Sequence, residues 1–138
     1  MSSHPGRRGP TALSAATLGA VAAGGSVGAL LRWLLELGLP AGSGWPWATV
    51  VANVLGSAAL GWLLARDEMS PLRGWVRAGA GTGLLGGFTT FSTYAVQVAV
   101  LGRDEPALAL GYLVATPLLC VCAAALAGTA TMRMRGHR

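Results

Sequence analysis

Charged residues divide this chain into long uncharged stretches. None lies between Arg8 and Arg32, Glu36 and Arg66, Arg77 and Arg103, or Glu105 and Arg133. Each stretch exceeds the roughly 20 residues that a helix needs to cross a bilayer core. The pattern predicts four transmembrane helices, near residues 12–34, 47–65, 75–101 and 107–131. They form one all-α membrane domain over 12–131, with a disordered tail over 1–11 and a basic tail over 132–138. The connections are short. Residues 37–47 hold Gly, Pro, Ser and two Trp, which suits an interfacial turn. Residues 66–73 contain Asp67, Glu68 and Pro71. Residues 102–106 read as a tight charged loop, with Pro106 placed to open the last helix.

Composition sharpens this picture. Of 138 residues, 53% are hydrophobic and 11% charged, against about 25% charged in a soluble domain. All 10 basic residues are Arg. They sit at span boundaries and in the tails, with no basic-aromatic platform, so nucleic-acid binding is excluded despite the basic balance. Arg7 and Arg8 before an apolar run look like the start of a signal peptide. The run is long for that, however, and Arg32 and Trp33 follow it in place of a small-residue cleavage site. With four spans, both termini and the second loop share one side, which carries Arg7, Arg8, Arg66, Arg73, Arg77, Arg133, Arg135 and Arg138. Arg32 and Arg103 fall on the other. The positive-inside rule then predicts cytoplasmic termini in the cell (inner) membrane. Cys120 and Cys122, two apart on a helix, do not face each other and read as small core thiols. His4 and His137 lie in the tails and receive no chemistry.

Small and polar residues inside the spans carry the candidate chemistry. Gly24 and Gly28 on the first span, and Gly79, Gly83 and Gly87 on the third, have the small-xxx-small spacing that lets helix backbones approach in lipid. Asn53, Ser57 and Gly61 follow at four-residue steps and are expected on one face of the second span. An amide in hydrocarbon needs a partner or a wet cavity, so Asn53 reads equally as interhelical glue or as a pore group. Residues 83–94 combine adjacent glycines with Thr89, Thr90, Ser92 and Thr93. Poor helix propensity and hydroxyls able to satisfy freed backbone predict a helix break; a kink is the plainer alternative. Irregular backbone at this depth is tolerated only inside protein or beside a cavity, where its carbonyls can coordinate a cation. Tyr112, Thr116 and Cys120 form a stripe on the fourth span beside Pro117, again either a polar track or interhelical hydrogen bonding.

Three blocks make the sequence recognisable. GGSVGALLRW (24–33) is similar to the pattern GGxxGAxxRY, TVVANVLGS (49–57) to TLxxNxxGS, and GGFTTFSTY (86–94) to GGxTTFSTF. Over most of residues 24–128 the chain resembles the CrcB/Fluc family of fluoride channels. The resemblance implies a subunit paired with an inverted copy, as a homodimer or as a heterodimer with an inverted paralogue, enclosing two passive fluoride pores. It implies that the backbone carbonyls of Gly86 and Thr89 hold a structural, untransported sodium ion, with four ligands by symmetry. It places Asn53, Phe91, Ser92, Thr93, Tyr94, Tyr112 and Thr116 along the pores and Arg32 at a vestibule or in a structural role. Phe91 and Tyr94 would face the anion with their ring edges, the positive part of the quadrupole. Departures from the family pattern are Tyr94 for Phe, Cys120 and Ala124 for hydroxyl residues, Ala58 for Phe and Ala48 for Gly.

No nucleotide motif, triad or metal cluster appears, so an enzyme is not expected. Two alternatives are a non-conducting subunit completing a partner's channel and a small proton-coupled multidrug exporter. The exporter needs a membrane-embedded carboxylate, for which Glu36 at the end of its span is a poor candidate. Eight Arg against two favours a single orientation, hence an oppositely oriented paralogue as partner. The expected outcome is that the chain expressed alone conducts poorly; robust fluoride efflux from liposomes holding a purified self-dimer would reject the need for a second protein.

Overall fold

Helix boundaries follow from local capping. The computed structural model describes residues 14–39 and 44–136, the side chains of 135 and 136 excepted. The predicted tail over 1–11 and the start of the first span lie outside the described residues. Helix α1 (Ala15–Gly38) opens on Ser14, whose hydroxyl accepts the Thr17 N–H at 3.2 Å, as an N-cap serine does. It runs four residues past the predicted end. There Arg32 Nη1 meets Glu36 Oε1 at 2.8 Å, an i,i+4 pair that bridges the last turns.

Helix α2 (Trp47–Met69) likewise outruns its predicted end and carries Arg66, Asp67 and Glu68 as helical residues. Asp67 then folds the following turn: Oδ1 accepts the Leu72 N–H at 2.7 Å and Oδ2 meets Arg77 Nη1 at 3.3 Å. The third span begins with α3 (Gly74–Ala78), continues as a π-helical stretch (Gly79–Leu85) and returns to α-helix in α4 (Gly86–Phe88). Thr89 (φ −83°, ψ 158°) and Thr90 (φ −147°, ψ 124°) are extended, and α5 (Phe91–Asp104) follows. The predicted loop over 102–106 shrinks to Glu105, whose N–H still bonds the Leu101 carbonyl at 2.7 Å. Pro106 then opens α6 (Pro106–Gly136), so the front of the predicted basic tail is helical.

Four helical segments are long and apolar enough to cross a membrane: Ala15–Gly38, Trp47–Met69, Gly74–Asp104 and Pro106–Met134. Their outward faces keep large apolar side chains exposed, among them Leu30, Trp62, Leu64, Val96, Val121 and Leu126. In water such a surface would be an aggregation liability; in lipid it is solvated. The protein is all-helical among its described residues.

The first half of the third span (α3, the π stretch and α4) packs on α1, while α5 packs on α6 and α6 on α2. Glycines bring the α1 contact to backbone distance. A Cβ on Gly24 would strike the Gly79 carbonyl, on Gly28 that of Leu84, and on Gly87 that of Gly25; on Gly83 it would lie 2.8 Å from the Val21 carbonyl. The packing role predicted for Gly24, Gly28 and Gly79 therefore holds. An ideal α-helix would swing by about 80° over the eight residues from Gly79 to Gly87. The wider π turns, which the residue pattern did not reveal, compensate and keep Gly79, Gly83 and Gly87 all against α1.

Two glycines on α1 separate close approach from helix propensity. Gly28→Ala drives a methyl into the Leu84 carbonyl and the Phe88 N–H, and should destabilise by about 1–3 kcal/mol. Gly19, with nothing within 4 Å, should tolerate Ala and gain roughly 0.5–1 kcal/mol. Thermal unfolding in detergent measures both, and equal melting points would discount the backbone contact.

Candidate functional site

The chemistry gathers where α4 ends. The Thr89 N–H still closes a helical turn onto the Leu85 carbonyl at 3.0 Å, and the Thr89 hydroxyl donates to the same oxygen at 2.9 Å. The next N–H, that of Thr90, would in a continuing helix reach the Gly86 carbonyl. It donates instead to Asn53 Oδ1 at 2.8 Å, while Asn53 Nδ2 donates to the Thr90 carbonyl at 3.0 Å. The amide of Asn53, projecting from α2, thus pairs both backbone groups of one extended residue, as a neighbouring strand would.

Thr90 then caps α5. Its hydroxyl accepts the Thr93 N–H at 3.2 Å and donates to the Thr93 hydroxyl at 3.0 Å, with the Ser92 hydroxyl 3.3 Å away. Capping diverts the Thr93 N–H from the Thr89 carbonyl. The carbonyls of Gly86 and Thr89 have therefore both lost their ordinary helical donors, one to Asn53 and the other to Thr90.

An open groove of about 690 Å³ lies alongside, and Asn53, Ser57, Gly86, Thr89, Phe91 and Tyr94 line it. Its α6 wall is Leu113, Pro117 and Cys120. Phe91 stands 79% exposed and Tyr94 only 7%, with ring centroids 5.8 Å apart. The Tyr94 ring backs onto Tyr112 at 5.2 Å, and Tyr112 is fully buried. Both phenol protons are committed: Tyr94 donates to the Leu113 carbonyl at 2.6 Å and Tyr112 to Gln97 Oε1 at 2.8 Å. Among the described residues, two buried side-chain polar atoms lack a partner: Thr116 Oγ1 and Arg32 Nε.

Gly86, Thr89, Asn53, Phe91 and Tyr94 are thus brought to one groove. Ser92 and Thr93 lie outside the groove lining and are spent on the cap of α5. Tyr112 lies behind Tyr94, Thr116 is buried on α6, and Arg32 pairs with Glu36 towards the end of α1, outside the groove lining. Two expectations need correction. Gly61 does not share the Asn53 face; it turns to α6, where a Cβ would meet the Ala124 backbone. Each four-residue step advances about 40° around a helix, so two steps carry Gly61 off that face. Cys122 is exposed on the apolar exterior, not in a core. Sequence reasoning also missed Thr90 as the residue holding the junction together. The cap signal was present in the Thr90–Thr93 spacing, but the pairing with Asn53 is tertiary.

A small multi-pass helical membrane protein, with polar groups converging on a groove beside two extended residues of its third span, is the class these features define. Residues 19–129 match the family model described as CrcB-like protein, Camphor Resistance (CrcB), and the chain belongs to that family. Similar curated proteins include the fluoride-specific ion channel FluC of Bordetella avium, 42% identical over 86% of this chain and 94% of the relative. FluC 2 of Nocardia farcinica is 44% identical over 88% of each chain. FluC 1 of Streptomyces coelicolor is 43% identical over 83% of this chain and 76% of its own.

Asn53→Ala would strip the partners from the N–H and the carbonyl of Thr90 at once. Leaving such groups unpaired costs about 1–3 kcal/mol each. The expected result is a large drop in melting temperature in detergent, well beyond that of Ser57→Ala. A drop no larger than that control would show that the junction does not depend on the amide.

Proposed function

We propose that this chain is a subunit of a fluoride-specific channel that lets fluoride leave the cytoplasm passively and so lowers its toxicity. The relatives named for that activity support the ion, and the junction at Thr89–Thr90 supports the mechanism. The observation that carries the reading is the double diversion of helical donors, which deprives the carbonyls of Gly86 and Thr89, two residues that line the groove, of their usual partners. Carbonyl oxygens are the ligands that a sodium ion prefers, and an inverted second copy would bring an equal pair. We assign the groove to that partner, as a homodimer or a heterodimer with an inverted paralogue. Bound there, sodium would tie the carbonyl dipoles of the two copies together as a fixed structural charge.

Fluoride holds its water tightly, so a path must replace that water with donors. Asn53 commits one N–H to Thr90 and has a second on the same nitrogen, and its side chain lines the groove. Phe91 and Tyr94 offer aromatic ring hydrogens. Thr116 holds a buried hydroxyl with no protein partner, the state expected of a group that waits for a ligand. Ser92, Thr93 and Tyr112 keep these groups in place. Arg32, paired with Glu36 at 2.8 Å, takes the structural role at the end of α1. The driving forces are the membrane potential and the pH difference across the cell (inner) membrane, where the eight-Arg side and both termini face the cytoplasm. An exporter trading protons for cations would need a carboxylate inside the membrane. Glu36 is held by Arg32 at 2.8 Å, and the other described carboxylates sit at helix ends.

Fluoride-electrode recording from liposomes tests the proposal. Efflux should appear with this chain, alone or with an inverted paralogue, and chloride should not follow. Phe91→Ile and Asn53→Ala should each slow efflux per folded channel by about tenfold or more, the first by losing the ring at the path and the second by losing an amide donor together with the pairing of Thr90. Exchange of sodium for a bulky organic cation during purification should abolish it. Absence of fluoride flux in both arrangements would sink the reading.

A further inference from the structure

Proline in a helix removes the N–H that its i−4 carbonyl would accept. Pro117 lies inside α6, so the orphaned carbonyl is that of Leu113. A bare carbonyl facing apolar groups is costly. Here the Tyr94 hydroxyl donates to that same oxygen at 2.6 Å. Tyr94, Leu113 and Pro117 all line the groove, so the repair is made in its wall and joins α5 to α6.

We propose that Tyr94 is a positioning residue, a strut whose hydroxyl replaces the missing Pro117 N–H and thereby fixes the aromatic wall of the groove. The strut holds Tyr94 between Phe91 at 5.8 Å and Tyr112 at 5.2 Å. Its hydroxyl is consumed by Leu113, so Tyr94 meets a passing anion with its ring and not with its O–H. Tyr94 and Pro117 consequently work as a pair: tyrosine is needed at 94 because α6 carries proline at 117. A phenylalanine at 94 suits a helix with an intact ladder at 117. The effect on conduction rests on the fluoride-channel reading above; the strut itself does not.

A double-mutant cycle tests it, with wild type, Tyr94→Phe, Pro117→Ala and the double variant. Melting temperature in detergent and fluoride efflux per folded channel from liposomes are both measured. With Pro117 in place, Tyr94→Phe should lower the melting temperature and cut efflux per folded channel about fivefold, the worth of one hydrogen bond. In the Pro117→Ala background the restored N–H serves Leu113, and Tyr94→Phe should change efflux by less than about twofold. Losses of the same size in both backgrounds, or in neither, overturn the proposal. A merely structural tie would lower the folded fraction and leave flux per folded channel unchanged. Should Tyr94→Phe not fold, recovery of folded protein in the double variant supports the strut, and failure to recover rejects it. Should the wild type pass no fluoride either alone or with an inverted paralogue, the channel reading falls while the melting cycle still decides the strut.

Discussion

One side-chain amide sets the shape of this protein. Inside a bilayer no water stands ready for a backbone group that leaves its helix, so each such group needs a partner in the protein or a place beside a cavity. Asn53 supplies both partners of Thr90. That pairing holds Thr90 extended between α4 and α5. The first half of the third span lies on α1 and the second on α6. The groove, the exposed Phe91 and the freed carbonyls all follow from that change of neighbour.

Backbone contact supplies the other half of the architecture. Apolar side chains gain little by leaving lipid for one another, so tight packing has to do what water exclusion does in a soluble core. The glycines of α1 and the π stretch let carbonyl oxygens lie where Cβ atoms would be. The same logic joins α2 to α6 at Gly61 and Ala124. Among the described residues, many larger side chains lie on the lipid surface, and Val50, Tyr94 and Tyr112 form a small buried cluster with Trp45 against it.

How much of this was legible beforehand depended on range. The four spans are written in the spacing of charges, and the opening of α6 in Pro106. The close faces of α1 and the third span are visible in Gly24, Gly28 and Gly79. These are local signals. The π turns are not legible, because glycines at four-residue spacing read the same whether the helix is wide or narrow. Asn53 shows its need for a partner but not that the partner is Thr90, thirty-seven residues on. Tyr94 likewise displays a hydroxyl in want of an acceptor, and Pro117 displays the carbonyl that it orphans. Only the fold brings the two together. Gly61 misled for a different reason: a four-residue rhythm approximates a helix face over one step and drifts over two.

The π stretch also governs which kinds of genetic change this region can absorb. Shortening Gly79–Leu85 by a single codon would let its wide turns close into ordinary α-helix. Seven α steps would then separate Gly79 from Gly87 and turn about 700°, within about 20° of two full turns, so both glycines would still face α1. An insertion would add about 100° with nothing to absorb it, and the seats of Gly79 and Gly83 leave little room for a Cβ. The segment can therefore shed a residue more readily than it can gain one or exchange its glycines.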